Sequence, residues 1–411
     1  MMRPEPEYPR RDAGLLALSP ADEAEASRLR GEMVERLRAS GAIHDPAVAE
    51  AMLSVPRHLF LPRSTLLEAY ENVAVATRWE QGAAVSSVSQ PEIVAMMLEQ
   101  LHLTPGMRVL EIGAGAGYNA ALLAELVGPN GSVTTIELDP ELAAEAATHL
   151  AAAGYSPARA RVIAGDGWIG WAPGAPWDRI EATVGVWDIS PHWVEQLGEY
   201  GLLLAPLWLG VTDVSVALRK RAGALVSESW ALCGFVRLRG DGAGQPPTIA
   251  IGGRRSVSGP GAEALAERVR VALSLPARRV RWERPGSGFI PSLALMAGGM
   301  LTIWQSRPAG WGRPRGRYAL YREGEDGPSL VVFPERPSSF LVFGGRAAEL
   351  FVREQAQRRQ DLLAPSSWRL EVRPTPGEPP PLEGVIRQRT PHWVYDISVS
   401  QEVMGQDAPG T

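Results

Sequence analysis

The sequence predicts an α/β protein: a doubly wound, mostly parallel sheet with an antiparallel hairpin at its edge, followed by a separate α+β unit. Three observations carry this. Residues 107–209 alternate short apolar runs with amphipathic stretches, the pattern of parallel strands joined by crossover helices. The run Val109-Leu110-Glu111-Ile112-Gly113-Ala114-Gly115-Ala116-Gly117-Tyr118 passes from an apolar strand through a small-residue turn straight into the helical pattern Asn119 to Val127. Around Gly240 to Pro247 the chain becomes glycine- and proline-rich, which marks a boundary within 411 residues, a length beyond the usual single domain.

Taken in order, Met1 to Leu18 is polar, charged and proline-bearing; it reads as disordered and lacks the apolar core of a secretory signal. Ser19-Pro20 supplies a cap and first turn for an amphipathic helix running to about Ser40, and Asp45-Pro46 does the same for a second that ends before Pro56. After Pro91, the residues Ile93, Val94, Met97, Leu98 and Leu101 give a helical apolar face up to Leu103. Strands are expected at 107–113, 132–137, 161–165, 178–184 and 201–208, with helices at 117–127, 140–152 and 191–198. Val214 to Arg221 and Leu225 to Arg239 flank Ala222-Gly223-Ala224 as a hairpin. One domain thus spans 19–240. An accessory unit, 245–411, mixes helices (Ala262 to Leu273, Ala347 to Leu363) with strands (Leu301 to Trp304, Ser329 to Phe333, Phe340 to Phe343, Trp368 to Val372, Val394 to Val399), with a proline-rich connection at Pro374 to Pro381. Trp304, Trp311, Trp368 and Trp393 are expected to pack rather than to cage a ligand.

Net charge is −5 with 21% charged residues and no block of like charges, which disfavours a nucleic-acid or anionic-membrane partner. All but Lys220 of the 41 basic residues are arginine, a mark of genomic G+C bias together with the abundant Ala, Gly and Pro. The single Cys233 excludes an intramolecular disulfide or a multi-cysteine zinc site and is expected to pack. No apolar run approaches the roughly 18 to 20 residues that cross a bilayer. A cytoplasmic protein is expected.

Glycines at 113, 115 and 117 let the backbone approach a ligand closely, and the amides of the helix start are free to meet it. That spacing alone also occurs in nicotinamide-binding folds. Glu137, closing the run Val133-Thr134-Thr135-Ile136, is placed to accept the ribose hydroxyls that either cofactor offers. Glu111 inside the first strand and Asp166-Gly167 at the end of the third, where an acid accepts from an adenine amino group, tilt the reading to S-adenosyl-L-methionine in a Rossmann-like methyltransferase sheet. The plainer reading makes Glu111 and Asp166 merely polar residues at strand ends. Ser87 and Ser89 offer hydroxyls that hold a substrate carboxylate, or else cap the helix that begins near Pro91. His58 is expected to bond locally, and no Gly-x-Ser-x-Gly hydrolase elbow occurs.

With these residues in view, the chain resembles the protein-L-isoaspartate O-methyltransferase family over roughly residues 28–238. Val55-Pro56-Arg57-His58-Leu59-Phe60, Ala69-Tyr70-Glu71-Asn72, Ser87-Val88-Ser89-Gln90-Pro91, Val109 to Tyr118, Gly165-Asp166-Gly167 and Glu195-Gln196-Leu197 occur in family order. The resemblance implies catalytic contacts from Ser87 and Ser89, substrate contacts from Ser86, Val88 and Trp187, and cofactor contacts from Glu111, Gly113, Ala114, Gly115, Gly117, Tyr118, Glu137, Leu138, Asp166, Gly167 and Thr183. It implies methylation of an aspartyl or isoaspartyl carboxylate in a polypeptide, with succinimide formation to follow, in repair or in tailoring of a ribosomally made precursor peptide. Ala84-Val85-Ser86-Ser87 where the family has His-Gly-Gln-Thr, Trp187 in the turn after the fourth strand, and the appended unit depart from the usual pattern; Trp187 and the appended unit speak against generic repair and leave repair and tailoring both open. A non-catalytic cofactor-binding module, and methylation of RNA or a small molecule, are the competing classes.

Overall fold

A computed structural model describes residues 19–399 apart from 81–82, 210–211, 245–247, 260, 282–288, 290–292, 295–299, 307–314, 334–338, 359–367 and 376–385. The chain divides into two compact units, Met1–Leu207 with Val214–Gly244, and Trp208–Asp213 with Gln245–Thr411. The expectations for residues 1–18, Trp311, 359–363 and 376–381 lie outside the described residues.

In the first unit, α1 (Pro20–Ala39) and α2 (Pro46–Ser54) start where the sequence predicts. The Ser19 and Asp45 side chains accept the Asp22 and Ala47 amides, and each helix has proline in its first turn. A capping box between Thr65 and Glu68 starts α3 (Leu66–Tyr70). Next comes a hairpin that the sequence does not announce, β1 (Val75–Glu80) and β2 (Ala83–Val88), a two-stranded antiparallel sheet of its own. Helix α4 (Pro91–Leu101) follows it.

The alternating region gives β3 (Arg108–Ile112), α5 (Tyr118–Val127), β4 (Ser132–Glu137), α6 (Pro140–Ala152), β5 (Ala160–Ala164), β6 (Trp177–Ala182), α7 (Pro191–Gln196) and β7 (Leu197–Leu209). The hairpin β8 (Thr212–Arg221) and β9 (Ala224–Leu232) is antiparallel. Their order is β9-β8-β7-β6-β3-β4-β5, with β3 parallel to both β4 and β6. Strand order therefore reverses beside β3, where open α/β sheets bind ligands beyond the carboxyl ends of the strands. Every residue from Ala120 to Ala124 of α5 is fully buried, so this helix is fixed against the sheet. Leu122→Ala there would cost about 2 to 5 kcal/mol in transfer and cavity terms.

One expectation needs correcting. Strand β9 ends at Leu232, not Arg239, because the chain leaves the ribbon after Leu232 and runs beside the turn that follows β6. The Gly185 amide donates to Val236 O at 2.8 Å and the Leu238 amide to Gly185 O at 3.0 Å. Residues Phe235 to Arg239 are thereby brought over the strand ends.

The second unit is α+β. An antiparallel sheet has the order β10-β11-β13-β14-β15-β16-β12, from β10 (Thr248–Gly252), β11 (Arg255–Ser258), β12 (Ala277–Arg281), β13 (Met300–Gln305), β14 (Arg315–Gly324), β15 (Gly327–Val332) and β16 (Ser339–Gly344). Helix α8 (Ala262–Ser274) buries Val269 and Ala272 with Leu301 and Leu330, and α9 (Ala347–Arg358) buries Val352 with Phe340 and Val342. Strand β19 (Trp393–Val399) pairs with both β17 (Trp368–Pro374) and β18 (Ile386–Arg389).

Candidate active site

A cleft of about 910 Å³, measured out to its open mouth, lies at the carboxyl ends of β3 and β6. Its floor is the glycine loop. Gly113 has φ 101°, and a Cβ on it would come within 2.9 Å of Val184 Cγ1 and 3.0 Å of Thr183 Oγ1, so glycine alone lets the loop pass under this strand end. Thr183 fastens the loop by donating its hydroxyl to Gly113 O at 2.7 Å. At the end of β4, Glu137 is 7% exposed; its Oε2 accepts the Gly115 amide at 2.9 Å and its Oε1 the Asp139 amide at 3.2 Å. Burial raises the Glu137 pKa, and those two amides pull against the rise. Each carboxylate oxygen keeps acceptor capacity for ligand hydroxyls. Ala114, Tyr118, Leu138 and Gly167 line the same space.

A second wall is β2 with its continuation, Ser86 to Ser89. Thr77 on β1 donates to Ser86 Oγ at 3.0 Å. A Cβ on Gly115 would stand 3.6 Å from Ser86 Oγ and Ser87 O, so the serine strand and the glycine loop are within van der Waals reach. Helix α4 is preceded by Gln90, with no side-chain cap, so neither Ser87 nor Ser89 is spent on capping. Behind this wall lies Arg57, fully buried: Nε donates to Ala69 O and Nη2 to Ser89 O, each at 2.8 Å, and the guanidinium sits 4.8 Å over the Tyr118 ring. His58 bonds locally, Nδ1 to the Tyr70 hydroxyl at 2.8 Å.

A third wall is the segment Phe235 to Arg239, with Arg237 and Arg239 among the lining residues. Arg239 Nη1 pairs with Glu80 Oε1 at 3.2 Å. Two expected site residues lie elsewhere. Asp166 is absent from the lining: Oδ1 accepts the Trp168 amide at 2.8 Å and Oδ2 the Asp241 amide at 2.6 Å, so its carboxylate caps a short turn and pins the third wall. Trp187 also stands outside the lining and packs beside Gly244, where a Cβ would come within 2.8 Å of its Cδ1. Conversely, Asn119, Glu181, Arg237 and Arg239 line the cleft although sequence patterning does not single them out.

The family described as protein-L-isoaspartate(D-aspartate) O-methyltransferase matches residues 28–242. The chain belongs to this family. Protein-L-isoaspartate O-methyltransferase of Methanopyrus kandleri is 40% identical over 229 residues, covering 54% of this chain and 95% of that one. The Hyperthermus butylicus protein of the same name is 40% identical over 228 residues, covering 54% and 92%. A solved protein-L-isoaspartate O-methyltransferase superposes with a TM-score of 0.50 at 23% identity, covering 83% of this chain and 96% of that one, a likeness of fold. The protein is accordingly an S-adenosyl-L-methionine-dependent methyltransferase. The cleft fits that cofactor: a close-packed glycine turn, an acid at the end of β4 with acceptor capacity left, and buried carboxylate oxygens on its floor. Among the described residues no group of His, Cys, Asp and Glu is placed to hold a metal ion, and no helix is long and apolar enough to cross a membrane.

Proposed function

We propose that the protein methylates an aspartyl or isoaspartyl carboxylate within a polypeptide, with Glu137, Leu138 and the glycine loop holding the cofactor and Ser87 and Ser89 holding the acceptor. The observation that carries this is the apposition of the serine strand to the glycine loop, with two arginines in the lining of the same cleft. A carboxylate is ionised at neutral pH. Its oxygen therefore needs no general base, and a cleft that supplies hydroxyls, guanidinium charge and exclusion of water meets the requirement. S-adenosyl-L-methionine, when held by Glu137, Leu138 and the glycine loop, would supply an electrophilic methyl group on its sulfonium to the acceptor oxygen. Ser87 and Ser89 orient the oxygen without giving up their protons. The ester then loses methanol to the following backbone nitrogen, closing a succinimide.

A second reading, tailoring of a dedicated peptide, is favoured by the unit beyond residue 245. Relatives matched over 92–95% of their own length are accounted for by 54% of this chain, so the second unit is additional to them and is proposed to recognise the substrate peptide. Mass spectrometry separates the readings: a gain of one methyl on an isoaspartyl test peptide alone sinks tailoring. A gain on an aspartyl residue of a macrocyclic precursor peptide supports it. Labelling of neither peptide, with cofactor binding intact, would refute carboxyl methylation.

A further inference from the structure

Glu181 has no part in the chemistry above, yet it lies on the floor of the cleft. It stands on β6 in register with Glu111 on β3, and Glu111 in turn stands in register with Thr135 on β4, so three polar side chains form a row across the centre of the sheet. Glu181 is 1% exposed, and Glu111 and Thr135 are fully buried. From the first turn of α5, Asn119 Nδ2 donates to Glu111 Oε1 and to Glu181 Oε2, each at 2.8 Å. The second oxygen of each acid, Glu111 Oε2 and Glu181 Oε1, meets no hydrogen-bond donor although both residues line the cleft. The Thr135 hydroxyl comes near enough to lower the Glu111 pKa without closing a bond of good geometry.

Two carboxylates side by side in a dry interior are unfavourable unless a cation joins them or they hold protons. Among the described residues the charged groups lining the cleft are Glu111, Glu137, Glu181, Arg237 and Arg239. Those that act on the pair are Glu111 on Glu181 and Glu137 on Glu111; neither arginine is among them. The protein thus provides two buried acids, each with an unpartnered acceptor oxygen, and no counter-ion of its own. We propose that Glu181, held in line with Glu111 by Asn119, binds the positive charge of the methyl donor. This rests on the reading that the cleft holds S-adenosyl-L-methionine, which carries an ammonium and a sulfonium. Burial, and for Glu181 the neighbouring Glu111, push the two acids up to about 7 and about 8. In the empty cleft they hold protons near neutrality, and an incoming cation displaces them, so binding releases protons to solvent.

Titration calorimetry on the full chain, in two buffers of different ionisation enthalpy, tests this with S-adenosyl-L-methionine and with its neutral-sulfur product. Glu181→Gln keeps size and shape, and a cooperative melting transition verifies that it is folded at the pH of the titration. Affinity for the methyl donor should fall about tenfold or more, as for loss of one charge-assisted contact, and fewer protons should be released. A larger loss for the donor than for the product assigns the sulfonium; an equal loss assigns the ammonium. Binding of both ligands within about twofold of the parent, with unchanged proton release, overturns the proposal when Glu137→Ala does weaken binding. If Glu137→Ala has no effect either, the cleft reading itself fails.

Discussion

Arg57 Nη2 donates to the main-chain oxygen of Ser89 at 2.8 Å from a position wholly inside the protein. The same guanidinium holds Ala69 O and covers Tyr118, so one side chain ties the serine wall to the start of α5. Lysine cannot reproduce this fork. Arg57→Lys is expected to leave a carbonyl unsatisfied at a cost of about 1 to 3 kcal/mol. Thermal unfolding should register the loss, and methyl transfer should decline while affinity for the cofactor product is retained; an unchanged melting temperature would contradict the assignment.

The serine hydroxyls are predicted to act on the acceptor alone. Ser89→Ala and Ser87→Ala should each lower kcat/KM on the peptide by about tenfold to a hundredfold, the worth of one hydrogen bond to a charged group, with cofactor affinity intact. A variant that instead weakens cofactor binding would place its serine on the donor side.

Glu137→Ala should weaken cofactor binding by about 1 to 3 kcal/mol, because it removes a carboxylate that fixes the Gly115 amide and lines the cleft. Calorimetry reads this directly. Unchanged affinity would mean that Glu137 only braces the loop.

Gly240 has φ 81°, and a Cβ on it would come within 2.2 Å of Asp166 Oδ2. Gly240→Ala should therefore cost about 1 to 3 kcal/mol in strain and separate the third wall from its anchor. Peptide KM should rise with it. Asp166→Asn, which keeps the shape and one acceptor, should be milder in both assays.

The acid pair on the cleft floor fixes the sign of a pH effect. Both acids have folded values above the ordinary 4.5, about 7 for Glu111 and about 8 for Glu181, so between these limits the folded chain binds more protons than the unfolded one. Their contribution to stability is complete below the unfolded value and is lost as pH rises through the folded values. The melting temperature of Glu181→Gln relative to the parent, both without ligand, should therefore climb between about pH 5 and about pH 8. A pH-independent difference would refute the assigned direction.

Much of the fold was legible because parallel strands buried on both faces read as apolar runs, and because Pro20, Pro46, Asp139 and Pro140 punctuate the helices. The hairpin β1–β2 was not, since its first strand is half-buried from Val75 to Trp79, exposed at Glu80, and shows no alternation of burial. Residues 233–239 look like more of β9 by composition; only the pairing of Gly185 with Val236 and Leu238 turns them aside. Within the site, the glycine loop, Glu137 and the serines could be read from the chain. Arg237 and Arg239 could not, as two arginines among many. Glu181 did carry a signal: a charged residue in the middle of a run expected to be buried on both faces.

The ribbon that bears Ser86 and Ser87 shares no hydrogen-bonded strand with the main sheet. Substitutions along the ribbon are therefore expected to alter the wall that meets the glycine loop without breaking a ladder hydrogen bond of the main sheet.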